Sequence, residues 1–199
     1  MTLLLATATF LISTNATPRE VVETCREMIP SDVEITGRIV MRNRRGVVVD
    51  GGEHDYRLVR TAGVTSLTVD GKPFDFASQP SETRLMGTDV TASDIRLDYL
   101  WWDEFSFDAE REGETVNGQV CSVIVMKKGD RAVRVWVDRK TGAMMQAEEL
   151  KNGEPHRRLW GTRIKKFGER WMANVMEVET FEGEALKRTR TKIIVETLK

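Results

Sequence analysis

From Arg19 onward the apolar residues fall at Val21, Val22, Cys25, Met28 and Ile29, with Arg19, Glu20, Glu23, Arg26 and Glu27 between them. This spacing places the two sets on opposite faces of one amphipathic helix, which Pro30 ends. The period then drops to two. Val33, Ile35, Gly37, Ile39 and Met41 alternate with Asp32, Glu34, Thr36, Arg38 and Val40, as in a half-buried strand. Turn residues follow at Asn43-Arg44-Arg45-Gly46, Asp50-Gly51-Gly52 and Asp70-Gly71, with short strands expected around 47–49, 56–60 and 64–69. A second helix is expected at Thr91, whose hydroxyl can cap backbone amides while Asp94 reaches back, as in a capping box. In that helix Ile95, Tyr99 and Trp102 share a face; the other reading is a loop that buries Leu100, Trp101 and Trp102 one by one.

Beyond Glu112, Asn117-Gly118, Lys128-Gly129-Asp130, Lys140-Thr141-Gly142, Asn152-Gly153, Phe167-Gly168-Glu169 and Glu182-Gly183-Glu184 punctuate the chain at nearly regular intervals. Turns this short join antiparallel neighbours, because a parallel crossover needs a dozen or more connecting residues. A long antiparallel meander results. Two short helices cannot cover so many strands, so the sheet either closes on itself or leaves a cavity. Phase groups one apolar face. Val133, Val135 and Val137 alternate with Ala132, Arg134, Trp136 and Asp138, and Met172, Met176 and Val178 alternate with Trp171, Val175 and Glu177. Period two does not say which face is concave. The chain has 9 Met, and those in the strand region (Met126, Met144, Met145, Met172, Met176) suit either a pocket that adapts to flexible hydrocarbon or plain core filling.

Composition narrows the class. With 199 residues and 40% hydrophobic side chains the chain is one ordinary domain, able to hide roughly 70% of its unfolded surface without a disulfide lattice or structural metal. A net charge of -1 sets up no general field for nucleic acid, so none is expected as a partner. No apolar run reaches the roughly 20 residues that span a bilayer. The stretch Leu3 to Ile12 is apolar and uncharged and resembles a signal segment, with small residues up to a candidate cut after Ala16, although no Lys or Arg lies near Met1. Residues 1–16 are therefore expected to be a signal peptide and 17–199 a single exported domain; the other reading is an apolar first helix of the fold.

Candidate chemistry is thin. The chain has 2 His, and His54 and Asp55, as strand neighbours, point to opposite faces and cannot act on one atom. Cys25 and Cys121 are too few for a zinc site; they read as two buried thiols or, after export, a disulfide. The glycines sit in hairpin turns and form no phosphate-binding fingerprint. No catalytic residue, metal or cofactor is expected. Arg42, Arg44 and Arg45 form one basic knot, read as a solvated hairpin tip or a contact for an acidic partner or phospholipid headgroup.

Four features occur together: the segment Gly87 to Ile95 (Gly-Thr-Asp-Val-Thr-x-x-Asp-Ile), the hairpin Val135-Trp136-Val137-Asp138-Arg139-Lys140-Thr141-Gly142, Asn117-Gly118 with Cys121 in the next strand, and Gly168 with Trp171. Across residues 17–199 this order resembles the outer membrane lipoprotein-sorting protein family, the LolA-like group. Ala173 stands where that family commonly has a Pro after the Trp, so one edge bend differs. The resemblance implies an α+β, mostly antiparallel fold: an incomplete, half-open β-barrel with an N-terminal amphipathic helix and a short lid helix over the open side. It also implies a periplasmic, monomeric carrier of lipoprotein acyl chains or other lipid, working between membrane-associated donor and acceptor proteins. On that reading Val133, Val135, Val137, Met145, Met172, Met176 and Val178 line a hydrophobic cavity, and the Thr91–Trp102 segment is the lid, through Ile95, Tyr99 and Trp102. The second reading is a non-catalytic extracytoplasmic sensing or protein-interaction module, its barrel filled by its own side chains.

Overall fold

The computed structural model describes residues 12–13, 15–167, 170–181 and 188–199. Most of the expected signal segment lies outside these residues. Ile12 and Ala16, near its C-terminal end, are half-buried against the core, and the Ile12 N–H donates to the Arg139 carbonyl at 2.8 Å.

The first helix, α1 (Pro18–Glu27), covers the amphipathic segment expected from sequence and starts with a capping box. The Thr17 hydroxyl accepts from the Glu20 N–H, the Glu20 side chain accepts from the Thr17 N–H, and Pro18 sits where a missing N–H costs nothing. Val21, Val22 and Cys25 are its buried face. Four strands follow: β1 (Val33–Asn43), β2 (Val48–Thr61), β3 (Val64–Val69) and β4 (Lys72–Phe74). The turn expected at Asp50-Gly51-Gly52 does not form, because β2 runs through it and takes up the extra residues as a bulge opposite Met41. After a helical segment come β5 (Glu104–Phe107), β6 (Thr115–Val116), β7 (Gln119–Lys128), β8 (Arg131–Asp138), β9 (Met144–Lys151), β10 (Glu154–Phe167), β11 (Arg170–Thr180) and β12 (Thr189–Leu198). All pairings are antiparallel, in the order β4-β3-β2-β1-β12-β11-β10-β9-β8-β7-β5, with β6 on β7. The sheet is open, because β4 and β5 do not pair. The long-range joint is β12 on β1, which brings the two meanders into one sheet. Gly37 lies at that joint: a Cβ there would stand 1.9 Å from the Ile194 carbonyl oxygen, so any side chain would push the strands apart.

Segment 85–102 crosses one face. It contains a 3-10 turn (Leu85–Gly87), the five-residue helix α2 (Ala92–Arg96) and a second 3-10 turn (Asp98–Trp101). The capping box at Thr91 and Asp94 forms as expected. The helix does not continue to Trp102, because Leu97 turns left-handed (φ 55°) and the Ser81 and Ser93 hydroxyls hold Asp98 outside it. Ile95, Tyr99 and Trp102 therefore do not share one helical face.

Alternation along the strands builds two apolar layers. On the face covered by α1 and segment 85–102, one cluster joins Val21, Val22 and Cys25 to Tyr99, Leu100, Trp102, Ile124, Met126, Val133, Val135, Val137 and Ala147. A second on that face joins Ile39, Leu58, Leu67, Leu85, Val90, Ile95, Leu159, Val178 and Ile193. Cys121, Val123, Trp136 and Met145 form a separate cluster, on the opposite face by strand alternation. Both thiols are free and buried, so Cys25 and Cys121, in clusters on opposite sides of the sheet, do not form the disulfide considered from sequence.

Candidate functional site

Register carries an apolar row across the sheet. Val178 pairs with Leu159, Leu159 with Ala147, Ala147 with Val135, Val135 with Ile124 and Ile124 with Phe107. This row joins the two clusters of the covered face into one trough, and segment 85–102 lies over it.

Polar contacts hold that segment down. The Asp94 carboxylate of α2 accepts from the Arg157 Nη1 of β10, while the Arg157 Nε and Nη2 donate to Glu149 of β9 at 3.2 and 3.1 Å. Burial disfavours the Arg157 charge, but the Asp94 and Glu149 carboxylates outweigh it, and the pKa is raised above the ordinary arginine value. From α1, Arg26 donates to the Leu100 carbonyl at 2.6 Å and the Trp102 carbonyl at 3.4 Å. From β2, Arg60 donates to the Arg96 carbonyl at 3.3 Å. At the far end the buried Asp89 carboxylate accepts from Thr180, Thr189 and Thr191 at 3.3, 2.9 and 2.9 Å. Arg131 of β8 approaches Glu82 at 2.9 Å and lies over the Trp102 ring, 5.0 Å from its centroid. Tyr99 is buried, which pushes its pKa well up, and its hydroxyl donates to the Met144 sulfur at 3.4 Å.

Beside α2 the trough is nearly filled. The cavity between Asp94, Tyr99, Arg131, Val133, Glu149 and Arg157 measures about 10 Å³. Ligand pockets are commonly about 300–1,000 Å³. Among the described residues no group of three or more His, Cys, Asp or Glu could hold a metal ion, and no helix is long and apolar enough to cross a membrane.

The residues singled out from sequence separate into groups. Val133, Val135 and Val137 lie together under α1 and Tyr99, while Met176 and Val178 lie in the second cluster of the covered face. Met145 is a correction. A bulge between Trp136 and Val137 shifts the β8–β9 register, so Met145 packs on the opposite face beside Trp136 and Met144 takes the covered side. Met172 is half-buried, opposite Lys165, and joins neither cluster. Within the lid, Tyr99 and Trp102 go to one cluster and Ile95 to the other. His54 finds its partner in Asp70, at 2.7 Å through Nδ1, and not in Asp55. The sequence reading missed Asp94, Arg157 and Glu149 as a unit. One signal was available: Glu149 is two residues beyond Ala147 and Arg157 two before Leu159, so period two puts both charges on the apolar face of paired strands.

A family profile matches residues 70–199, and its family is described as "Uncharacterized protein". The chain belongs to that family. No curated protein sequence matches significantly. This member of the family has the LolA-like fold. A LolA superfamily protein from Nitrosomonas europaea superposes with a TM-score of 0.71 at 12% identity, covering 92% of this chain and 93% of that one. A DUF1329 family protein from Desulfovibrio piger gives 0.63 at 15% identity, over 92% of each chain. A putative outer membrane lipoprotein-sorting protein domain from Vibrio parahaemolyticus gives 0.61 at 15% identity, over 90% of each. At these identities the likeness is one of fold.

Proposed function

We propose that the protein is an exported carrier of acyl chains, with residues 1–16 as its signal peptide, and that segment 85–102 is a lid lifting to let a chain lie along the row Val178, Leu159, Ala147, Val135. The observation that carries this reading is backbone strain within the lid, in its first turn and between its two later turns. Met86 (φ 48°, ψ 34°) and Leu97 (φ 55°, ψ 35°) hold left-handed backbone that side chains other than glycine's disfavour. Such residues cost about 1–3 kcal/mol each; Ala62, Asp70, Asn117 and Asn152 hold the same backbone in tight hairpin turns, whereas Met86 and Leu97 hold it within a segment lying over an apolar trough, as switch regions do.

The exchange is close to balanced. Each lid side chain that leaves the trough, Ile95, Tyr99, Leu100 or Trp102, gives up about 1.5–3 kcal/mol of burial. A chain burying about ten methylenes at ~0.8 kcal/mol each restores a similar amount, which suits reversible loading. Val133, Val135, Val137, Met176 and Val178 form the wall of the opened trough. A periplasmic location, a monomeric state, and membrane-associated donor and acceptor proteins belong to the same proposal, supported by the fold shared with lipoprotein-sorting domains.

The 10 Å³ cavity favours a second reading, in which the lid never lifts and the filled barrel is a sensing or protein-interaction module. The two separate on one experiment: purification without detergent, solvent extraction with mass spectrometry, and titration with a fluorescent fatty acid. Co-purifying lipid and saturable binding near one ligand per chain support the carrier. Neither lipid nor a titratable site selects the module.

A further inference from the structure

Arg157 lies in the wall of an apolar trough, with its side chain 8% exposed. Its guanidinium is divided between two carboxylates: the Nε and Nη2 edge belongs to Glu149 on the neighbouring strand, while Nη1 belongs to Asp94, 3% exposed, on the lid. Asp94 is held ready by its own helix, since the same oxygen accepts from the Thr91 N–H at 2.8 Å and the Thr91 hydroxyl at 3.0 Å. Arg131 repeats the division. It approaches Glu149 at 3.9 Å and Glu82 at 2.9 Å, and Glu82 lies on the stretch that leads into the lid.

The charges thus belong to two bodies. Arg131, Arg157 and Glu149 are on the sheet and stay there; Asp94 moves with the lid and Glu82 lies beside its entry. With the lid lifted and Glu82 still beside Arg131, Arg157 keeps Glu149 on one edge while its Nη1 end is left unsatisfied, facing an apolar trough. A buried guanidinium end left without an acceptor is destabilising, so the open state calls for an anion at that place. The closed structure shows which kind fits, because a carboxylate is already there, on the donor geometry that arginine offers to carboxylates.

We infer that the trough is selective for amphiphiles with a carboxylate head, which replaces Asp94 on Arg157 while the hydrocarbon runs along Leu159, Ala147 and Val135. Asp94 is then an internal stand-in for the ligand's head and competes with it. The inference rests on the carrier reading and narrows it to one ligand class.

The test compares a fluorescent long-chain fatty acid with its methyl ester, titrated into the full chain at neutral pH. The acid binds at least tenfold more tightly to the unaltered protein. Asp94→Asn removes the competing charge and raises the acid's affinity several-fold more than the ester's. The double variant Asp94→Asn/Arg157→Gln removes both charges of the lid pair and leaves Arg131, 3.9 Å from Glu149, as the cation beside that carboxylate; the preference for the acid disappears while the ester is still bound. Equal binding of acid and ester by the unaltered protein, or a preference that survives in the double variant, overturns the head-group inference and leaves the carrier reading standing. Saturable binding of neither probe overturns the carrier reading, and this inference falls with it.

Discussion

The Asp94 carboxylate of α2 and the Arg157 guanidinium of β10, 63 residues apart in sequence, form a buried ion pair between the lid segment and the wall of the trough. Removing Asp94 leaves the buried Nη1 end of Arg157 without an acceptor, with Glu149 only on its other edge, and strips the cap from Thr91. Asp94→Ala should therefore destabilise the protein by about 3–5 kcal/mol. Urea unfolding measures this as a lower midpoint at nearly constant slope. A loss below about 1 kcal/mol, the range of exposed pairs, would show that water reaches the pair.

The two thiols should be unreactive in the folded protein. Burial raises Cys25 from 9.0 to about 12 and Cys121 from 9.0 to about 11, keeping both protonated near neutrality, and the thiolate is the reactive form. A thiol reagent should label neither in native protein and both in guanidinium. The sign of the pH dependence follows. Above pH 9.0 the unfolded thiols ionise while the folded ones do not, so the unfolded state gains and stability falls as pH rises from there towards about 12 for Cys25. Rapid labelling of either thiol in native protein would contradict the burial.

Met86 is 48% exposed, so its side chain contributes little packing while its backbone bears left-handed strain. Met86→Gly should relieve that strain and stabilise the closed lid by up to about 1 kcal/mol, after the extra entropy glycine brings to the unfolded chain. The melting temperature should rise while the fluorescent fatty acid binds several-fold more weakly. A higher melting temperature with unchanged binding would uncouple this turn from loading.

Met145 and Leu159 separate the two faces of the sheet. Either residue replaced by Ala should cost about 2–5 kcal/mol, because both are well buried and leave cavities. Only Leu159→Ala, on the covered face, should change fatty-acid affinity or chain-length preference. Altered binding in Met145→Ala would place the ligand on the wrong side of the sheet for a trough under the lid.

Gly37 tests the joint between the two meanders. Its substitution by Ala puts a methyl group against the Ile194 carbonyl, and the overpacking should cost about 3 kcal/mol. Thermal unfolding reads the effect; a shift within error would mean that β1 and β12 separate without loss.

Much of the fold was legible because its cues are local. The helical spacing from Val21, the alternation from Val33, the turns at Asn117-Gly118, Lys140-Thr141-Gly142 and Asn152-Gly153 and the capping box at Thr91 each depend on residues within a few positions, and the structure forms them in place. The order of motifs from Gly87 to Trp171 pointed to the LolA-like fold. What the tertiary structure decided depends on partners far along the chain. Pairing of β12 with β1 makes one sheet of two meanders. One bulge beside Val137 turns Met145 away from the trough, since a single-residue slip in register exchanges the faces of a strand. Leu97 leaves the helix because Asp98 finds Ser81 and Ser93. Asp94 shows the division most plainly: its spacing from Thr91 predicts a helix cap, and only the approach of β10 makes the same carboxylate the counter-ion of Arg157.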